Sequence, residues 1–183
     1  MRVIAGTARG RGLASPEGLS TRPTADRVRE AIFSSAAGFV PGACVLDLFA
    51  GTGAMGIEAL SRGADRAVFV DRSPECAALI RRNLTVTGFA DRSEIITADA
   101  VRAARRLAAD GRGFGVIFSD PPYQSGETER VLALIAETSV LSAGGVAILE
   151  TAPGYVPAVP AGLTLVKSRD YNVAAVHYIQ KGG

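Results

Sequence analysis

Two short runs carry the residues best suited to chemistry. The first is Asp120-Pro121-Pro122-Tyr123, at the end of the apolar run Gly115–Ser119. Consecutive prolines hold the backbone extended and remove two N–H donors, so the carbonyls around them face an open site without competition. Asp120 adds a carboxylate acceptor, and Tyr123 offers a flat ring on which a base can stack. This set suits methylation of an exocyclic amino group on a nucleobase. Such a nitrogen is a poor nucleophile because its lone pair is delocalised into the ring. The Asp120 carboxylate and the Pro121 carbonyl can take its two N–H bonds, draw it toward tetrahedral geometry and stabilise the positive charge that develops on transfer. The base has to leave its stack to reach the site. The competing reading is a proline-rich turn after a strand.

The second run is Asp47-Leu48-Phe49-Ala50-Gly51-Thr52-Gly53, continuing to Ala54-Met55-Gly56. G-x-G-x-x-G between a strand and a helix, with the acidic Asp71 at the end of the next strand, fits a dinucleotide fingerprint. Asp47 argues against that ligand. Its carboxylate would face an anionic pyrophosphate, and two unit charges 4 Å apart repel by about 1 kcal/mol even in water. S-adenosyl-L-methionine carries an ammonium and a sulfonium instead, and both favour a nearby carboxylate. Arg72 follows Asp71 directly, and Asp99 and Ala100 follow the third strand. Asp99 has two open readings: acceptor for an adenine amino group, or N-cap of the helix that follows.

The elements that must position these runs are legible from Ala43 onward. Strands are expected at Cys44–Phe49, Ala67–Val70, Glu94–Thr97, Gly115–Ser119 and Val146–Glu150, with helices near 54–62, 74–87, 100–109 and 127–138. The strands are apolar throughout, as strands covered on both faces are. Ser73-Pro74 reads as a helix start and Gly63 and Gly88 as helix ends. Alternating units of this kind predict a doubly wound parallel sheet. Two last strands, Leu163–Ser168 and Val173–Gln180, lie too close for a crossover and should form an antiparallel edge hairpin. At the other end, Arg2–Ala5 and Gly12–Ala14 predict a small hairpin. A helix near 25–37 follows, with Thr24 as its cap.

The composition sets the remaining bounds. The chain has 183 residues, with 48% hydrophobic and 21% charged residues, which suits one folded domain. No apolar run approaches the roughly 20 residues of a membrane span, and no secretory leader is evident, so a cytoplasmic protein is expected. Cys44 and Cys76 fit no zinc spacing, no metal is expected, and both read as small buried hydrophobes. His177, the sole histidine, alternates with strand residues and reads as structural. Residues 1–30 hold six arginines (2, 9, 11, 22, 27 and 29) against three acids, although the chain as a whole is only +2. Arginine suits phosphate recognition; a GC-rich genome would produce the same bias.

Taken together, these residues resemble a known family. Asp120-Pro121-Pro122-Tyr123 with Asp47 to Gly53 resembles the class I S-adenosylmethionine-dependent amino-methyltransferases, which act on adenine, cytosine or guanine. The N-terminal residues Met1 to Gly6, Gly10-Arg11, Leu13, Thr21-Arg22-Pro23-Thr24, Asp26-Arg27-Val28 and Glu30-Ala31, with Gly56 to Ala64, are similar to the bacterial 16S rRNA (guanine(966)-N(2))-methyltransferase family. The resemblance implies a Rossmann-like α/β fold: a seven-stranded, mostly parallel sheet with an antiparallel edge hairpin. It implies a catalytic domain over 24–183 and an RNA-docking extension over 1–23. Asp47, Leu48, Phe49, Ala50, Gly51, Thr52 and Gly53 would line the methionine part of S-adenosyl-L-methionine. Asp71 with Arg72 would hold the ribose, and Asp99 with Ala100 would lie by the adenine. Asp120, Pro121, Pro122 and Tyr123 would hold the target amino group. Arg2, Arg9, Arg11, Arg22, Thr24 and Arg27 would dock 16S rRNA or the assembling small ribosomal subunit. The family's hairpin usually carries several lysines; this chain has Thr7, Ala8 and Leu13 there, with Arg9 and Arg11 as its cations. The alternative activity is adenine-N6 methylation of DNA or RNA, and the alternative class is a binding protein without turnover. A monomer is expected.

Overall fold

A computed structural model describes residues 1–15, 23–122 and 126–182, with side chains in the first helix described from Asp26 onward. Tyr123 and Arg22 lie outside the described residues, as does the side chain of Thr24. Seven strands form one sheet in the order β3-β2-β1-β4-β5-β7-β6. They are β1 (Cys44–Leu48), β2 (Arg66–Asp71), β3 (Ser93–Thr97), β4 (Phe114–Ser119), β5 (Leu141–Thr151), β6 (Leu163–Tyr171) and β7 (Ala174–Lys181). The first five are mutually parallel, and β7 runs antiparallel to both β5 and β6. The expected edge hairpin is therefore present, with β7 inserted beside β5. Strand β5 starts five residues before the expected Val146, because Leu141 already pairs with Phe114 across a register shift.

The helices are α1 (Pro23–Ser35), α2 (Ala54–Ser61), α3 (Pro74–Thr87), α4 (Ala100–Ala109) and α5 (Glu127–Glu137). Their ends follow local chemistry. Ser73 caps α3 by accepting from the Cys76 N–H at 3.1 Å, and Gly88 closes it in the left-handed conformation, φ 78°. The expected cap at Thr24 is not found: α1 already includes Pro23, so Thr24 sits within its first turn. Proline's fixed φ suits a first helical position.

Strand alternation divides the core between two faces. Val45, Phe69, Val116, Phe118 and Ile148 pack beneath α1, α2 and α3, with Phe33, Ile57 and Ile80. Leu46, Leu48, Ile117 and Leu149 pack beneath α4 and α5, with Leu107 and Leu132. The N-terminal residues form a tight loop with a single antiparallel bridge, Arg2 to Gly12, instead of two regular strands. Val3, Ala8 and Leu13 are buried in the α1–α3 core, so this segment is packed against the domain.

Two minor expectations are corrected. Cys44 is exposed and Cys76 half-buried, because Cys44 occupies the first, uncovered position of β1. His177, read as structural, is buried, with Nε2 2.9 Å from Thr151 Oγ1 and Nδ1 2.9 Å from Ser168 Oγ.

Candidate active site

Strand β1 pairs with β2 on one side and β4 on the other, so the chain reverses its direction of winding between β1 and β4. Ligands in such sheets bind beyond the carboxyl ends of the strands at that reversal. Asp47 pairs with Phe118, and Ser119 with Leu149. One residue further along β4 and β5 come Asp120 and Glu150. By the two-residue period, Asp47, Asp120 and Glu150 share the face of Phe118 and Ile148, beneath α1. All three line one cavity of about 430 Å³. Phe49, Ala50, Gly51 and Thr52 form its loop wall, Val28, Arg29 and Ile32 its α1 wall, and Val173, Ala174 and Val176 its far side.

The loop after β1 lines the cavity with its backbone in left-handed conformations. Gly51 and Gly53 are left-handed at φ 53° and 76°, and Phe49 adopts φ 59° although it has a side chain. A non-glycine residue in this region stores strain of order 1 kcal/mol or more, and such residues cluster at ligand sites. Asp71 braces the loop: its Oδ2 accepts from the Gly51 N–H and its Oδ1 from the Ser73 N–H, each at 2.9 Å. Gly56 serves packing. A Cβ there would come within 2.3 Å of the Phe69 ring, so α2 can lie this close to the sheet only with glycine.

Asp47 is 3% exposed, and its Oδ2 accepts from the Gly56 N–H at 2.9 Å. Burial pushes its carboxyl up to about 8; the Gly56 bond opposes this, and Asp120 and Asp71 add to it. A buried anion with other acids as neighbours is stabilised by an incoming cation. The ammonium and sulfonium of S-adenosyl-L-methionine supply that charge, and a pyrophosphate would worsen the repulsion. The residues present therefore fit this cofactor.

Asp120 is also raised, by desolvation first and by Glu150 second. Asp120 is exposed and is among the residues that line the cavity. Pro121 is buried and Pro122 exposed. Ser119 is among the residues lining the cavity, and its buried Oγ has no hydrogen-bond partner among the described residues.

Several expected cofactor residues stand outside the lining. Leu48 faces the α4–α5 core, and Ala100 is buried in that same core. Gly53 packs near Ile80 and Phe69. Arg72 is exposed. Asp99 is exposed, and its Oδ1 caps α4 by accepting from the Arg102 N–H at 2.9 Å. Among the expected RNA contacts, Arg2, Arg9, Arg11 and Arg27 are all exposed. Arg11 also donates to the Val86 carbonyl at 2.5 Å.

Sequence reasoning missed Glu150, Arg29 and Glu58. The Arg29 Nη2 donates to the Arg2 carbonyl at 2.8 Å and to Asp26 Oδ1 at 2.9 Å. Glu58 is 1% exposed and takes the Ile4 and Ala5 N–H groups and the Arg62 Nε. Acids and an arginine at these positions carry no spacing signal; only the fold reveals their partners. Among the described residues, no cluster of three or more His, Cys, Asp or Glu could hold a metal ion, and no helix is long and apolar enough to cross a membrane.

Comparison with known proteins accords with this geometry. The family model described as Conserved hypothetical protein 95 matches residues 1–180. The Bacillus subtilis protein YlbH is 36% identical over 184 residues, covering all of both chains. The Escherichia coli ribosomal RNA small subunit methyltransferase D is 32% identical over 182 residues, covering 99% of this chain and 90% of its own. Among solved structures, the Escherichia coli chain yhhF superposes with a TM-score of 0.87 at 33% identity, covering 100% of this chain and 98% of its own. The chain belongs to the family described as Conserved hypothetical protein 95, which it shares with the ribosomal RNA small subunit methyltransferases D.

Proposed function

We propose that this protein transfers a methyl group from S-adenosyl-L-methionine to the N2 amino group of a guanine in 16S rRNA. The carrying observation is the placement of Asp120, which opens the Asp120-Pro121-Pro122 run just after β4, in one cavity with the buried carboxylate of Asp47. Support for an rRNA substrate comes from relatives named as small subunit rRNA methyltransferases.

When bound, the cofactor supplies an electrophilic methyl on a sulfonium. Asp47 holds the cationic methionine end, and the left-handed loop from Phe49 to Gly53 lets backbone groups close on it. Asp71 and Asp99, at the ends of β2 and β3, take the ribose and adenine. Asp120 and the Pro121 carbonyl accept the two N–H bonds of the target amine and aim its lone pair. Because burial raises Asp120, it is also a competent acceptor for the proton that the product ammonium releases. Tyr123 stacks on the flipped base. The exposed cations Arg2, Arg9, Arg11 and Arg27, with Arg22 and Thr24, contact the RNA backbone. The extension over 1–23 acts as the docking element and 24–183 as the catalytic domain.

The test is mass mapping of 16S rRNA from a strain lacking the protein, with add-back of wild type and of Asp120→Ala. Loss of one N2-methylguanine, restored by wild type alone, is the expected result. Loss of a methyladenine would replace the guanine reading by the adenine one.

A further inference from the structure

Glu150 stands beside Asp120, at the end of the neighbouring strand, and the transfer step above leaves it without a role. The two carboxylates follow the paired residues Ser119 and Leu149 on adjacent parallel strands and line the same cavity. They are close enough that Glu150 raises the charge cost at Asp120. A fold pays for two acids side by side, since like charges in a partly buried site repel. A ligand presenting two adjacent donors would relieve that cost.

Nucleobases differ on this point. Guanine presents N1–H and the N2 amino group side by side, donor next to donor. Adenine presents its N6 amino group beside a bare N1, and cytosine its N4 amino group beside a bare N3, donor next to acceptor. A carboxylate facing the ring nitrogen attracts the first pattern and repels the other two. Building on the amino-methyltransferase reading, we infer that Glu150 is the residue that selects guanine, by accepting the N1–H while Asp120 accepts from N2. Asp120 then serves any amino base, and the choice among bases lies one strand away.

The test separates the ring nitrogen from the amine. An RNA oligonucleotide carrying the guanine that the protein methylates is compared with one carrying 2-aminopurine there. The analogue keeps the 2-amino group but has a bare N1. The assay is run at mildly alkaline pH, above the value of about 7 to which Asp120 is raised and below the range in which guanine N1 itself loses its proton. Wild type should prefer guanine by about 100-fold or more in kcat/KM, as sites built to take a hydrogen bond reject analogues lacking it. Glu150→Gln can offer an amide N–H to a bare N1. It should lose rate on guanine, gain on 2-aminopurine and bring the ratio within about tenfold, with S-adenosyl-L-methionine affinity unchanged. Equal wild-type rates on both RNAs would overturn the inference while leaving the amino-transfer reading intact, and this arm needs no folded variant. An equal loss on both RNAs in Glu150→Gln would reduce Glu150 to a structural role. Transfer to neither RNA by wild type would sink the guanine reading itself, and this inference with it.

Discussion

Glu58 Oε2 accepts the Ile4 N–H at 2.8 Å, across 54 residues of chain, and Oε1 accepts the next N–H, that of Ala5, at 3.0 Å. The N-terminal segment is thereby fastened onto α2, with the Arg62 Nε at 2.7 Å and the Arg29 Nε at 4.0 Å completing the charge balance. Removing the carboxylate leaves the Ile4 and Ala5 N–H groups without their acceptor and the buried Arg29 with Asp26 as its remaining acid. Glu58→Ala should cost about 3 kcal/mol and lower the Tm by roughly 10 °C, measurable by thermal unfolding. A Tm within a degree or two of wild type would show that the fastening contributes nothing.

Asp120 accepts from the target amine in the proposed transfer and follows β4, the strand next to the one that leads into the glycine loop. Asp120→Ala should lower kcat by about 1,000-fold or more while S-adenosyl-L-methionine still binds. Single-turnover methylation and calorimetric cofactor binding check the two halves separately; full turnover by the variant would remove Asp120 from the mechanism.

In the proposed site, the buried Asp47 should make cofactor binding depend on pH. Its carboxyl is raised from 3.8 to about 8, so in the cofactor-free chain it is protonated at neutrality. A cationic ligand favours the anion, so binding expels a proton, and affinity should rise as pH increases toward about 8 and then level off. Folding stability runs the other way. A raised acid contributes fully below the unfolded value, and the cofactor-free chain loses that contribution as pH climbs through the same window. Titration calorimetry in buffers of different ionisation heat reads the released proton. Asp47→Asn should abolish both dependences; a pH-independent wild-type affinity would contradict the role given to Asp47.

Gly56→Ala places a methyl group where the Phe69 ring already lies, 2.3 Å away. Either the ring or α2 must shift, at a cost of about 1–3 kcal/mol. Because the Gly56 N–H holds Asp47, cofactor affinity should fall along with stability. Denaturant unfolding and cofactor titration on one sample check both, and a variant as stable as wild type would mean the ring moves freely.

Arg9 and Arg11 are exposed cations on the docked N-terminal loop. Replacing both with alanine should weaken RNA binding and flatten the slope of log K against log salt by about 0.7 per lost contact, with catalysis on saturating RNA retained. An unchanged slope would place the RNA elsewhere.

Much of this architecture was legible from pattern. Apolar strand runs, Ser73 as a helix start and Gly88 as its stop, and Asp47 ahead of a glycine loop are local signals, and the structure realises them. What pattern misses depends on distant partners. Glu58 reads as an ordinary helical acid until the N-terminal backbone lands on it. Glu150 reads as the polar end of a strand until β4 sets Asp120 beside it. Asp99 shows the opposite limit: its capping bond is visible in the fold, whereas a second role at the adenine needs the ligand. Thr24 had the right residue type for a cap, but Pro23 begins the helix one residue earlier.

Strand β6 ends the sheet with one side unpaired by any other strand. Its register slips between Leu165 and Lys167, leaving Val166 half exposed at 50%, and the residues that follow are Lys167, Ser168, Arg169 and Asp170. A kinked border studded with charges is a poor template for a further strand. The long free border of the sheet thus carries a deterrent to self-pairing, on the strand next to β7, whose Ala174 and Val176 line the cavity.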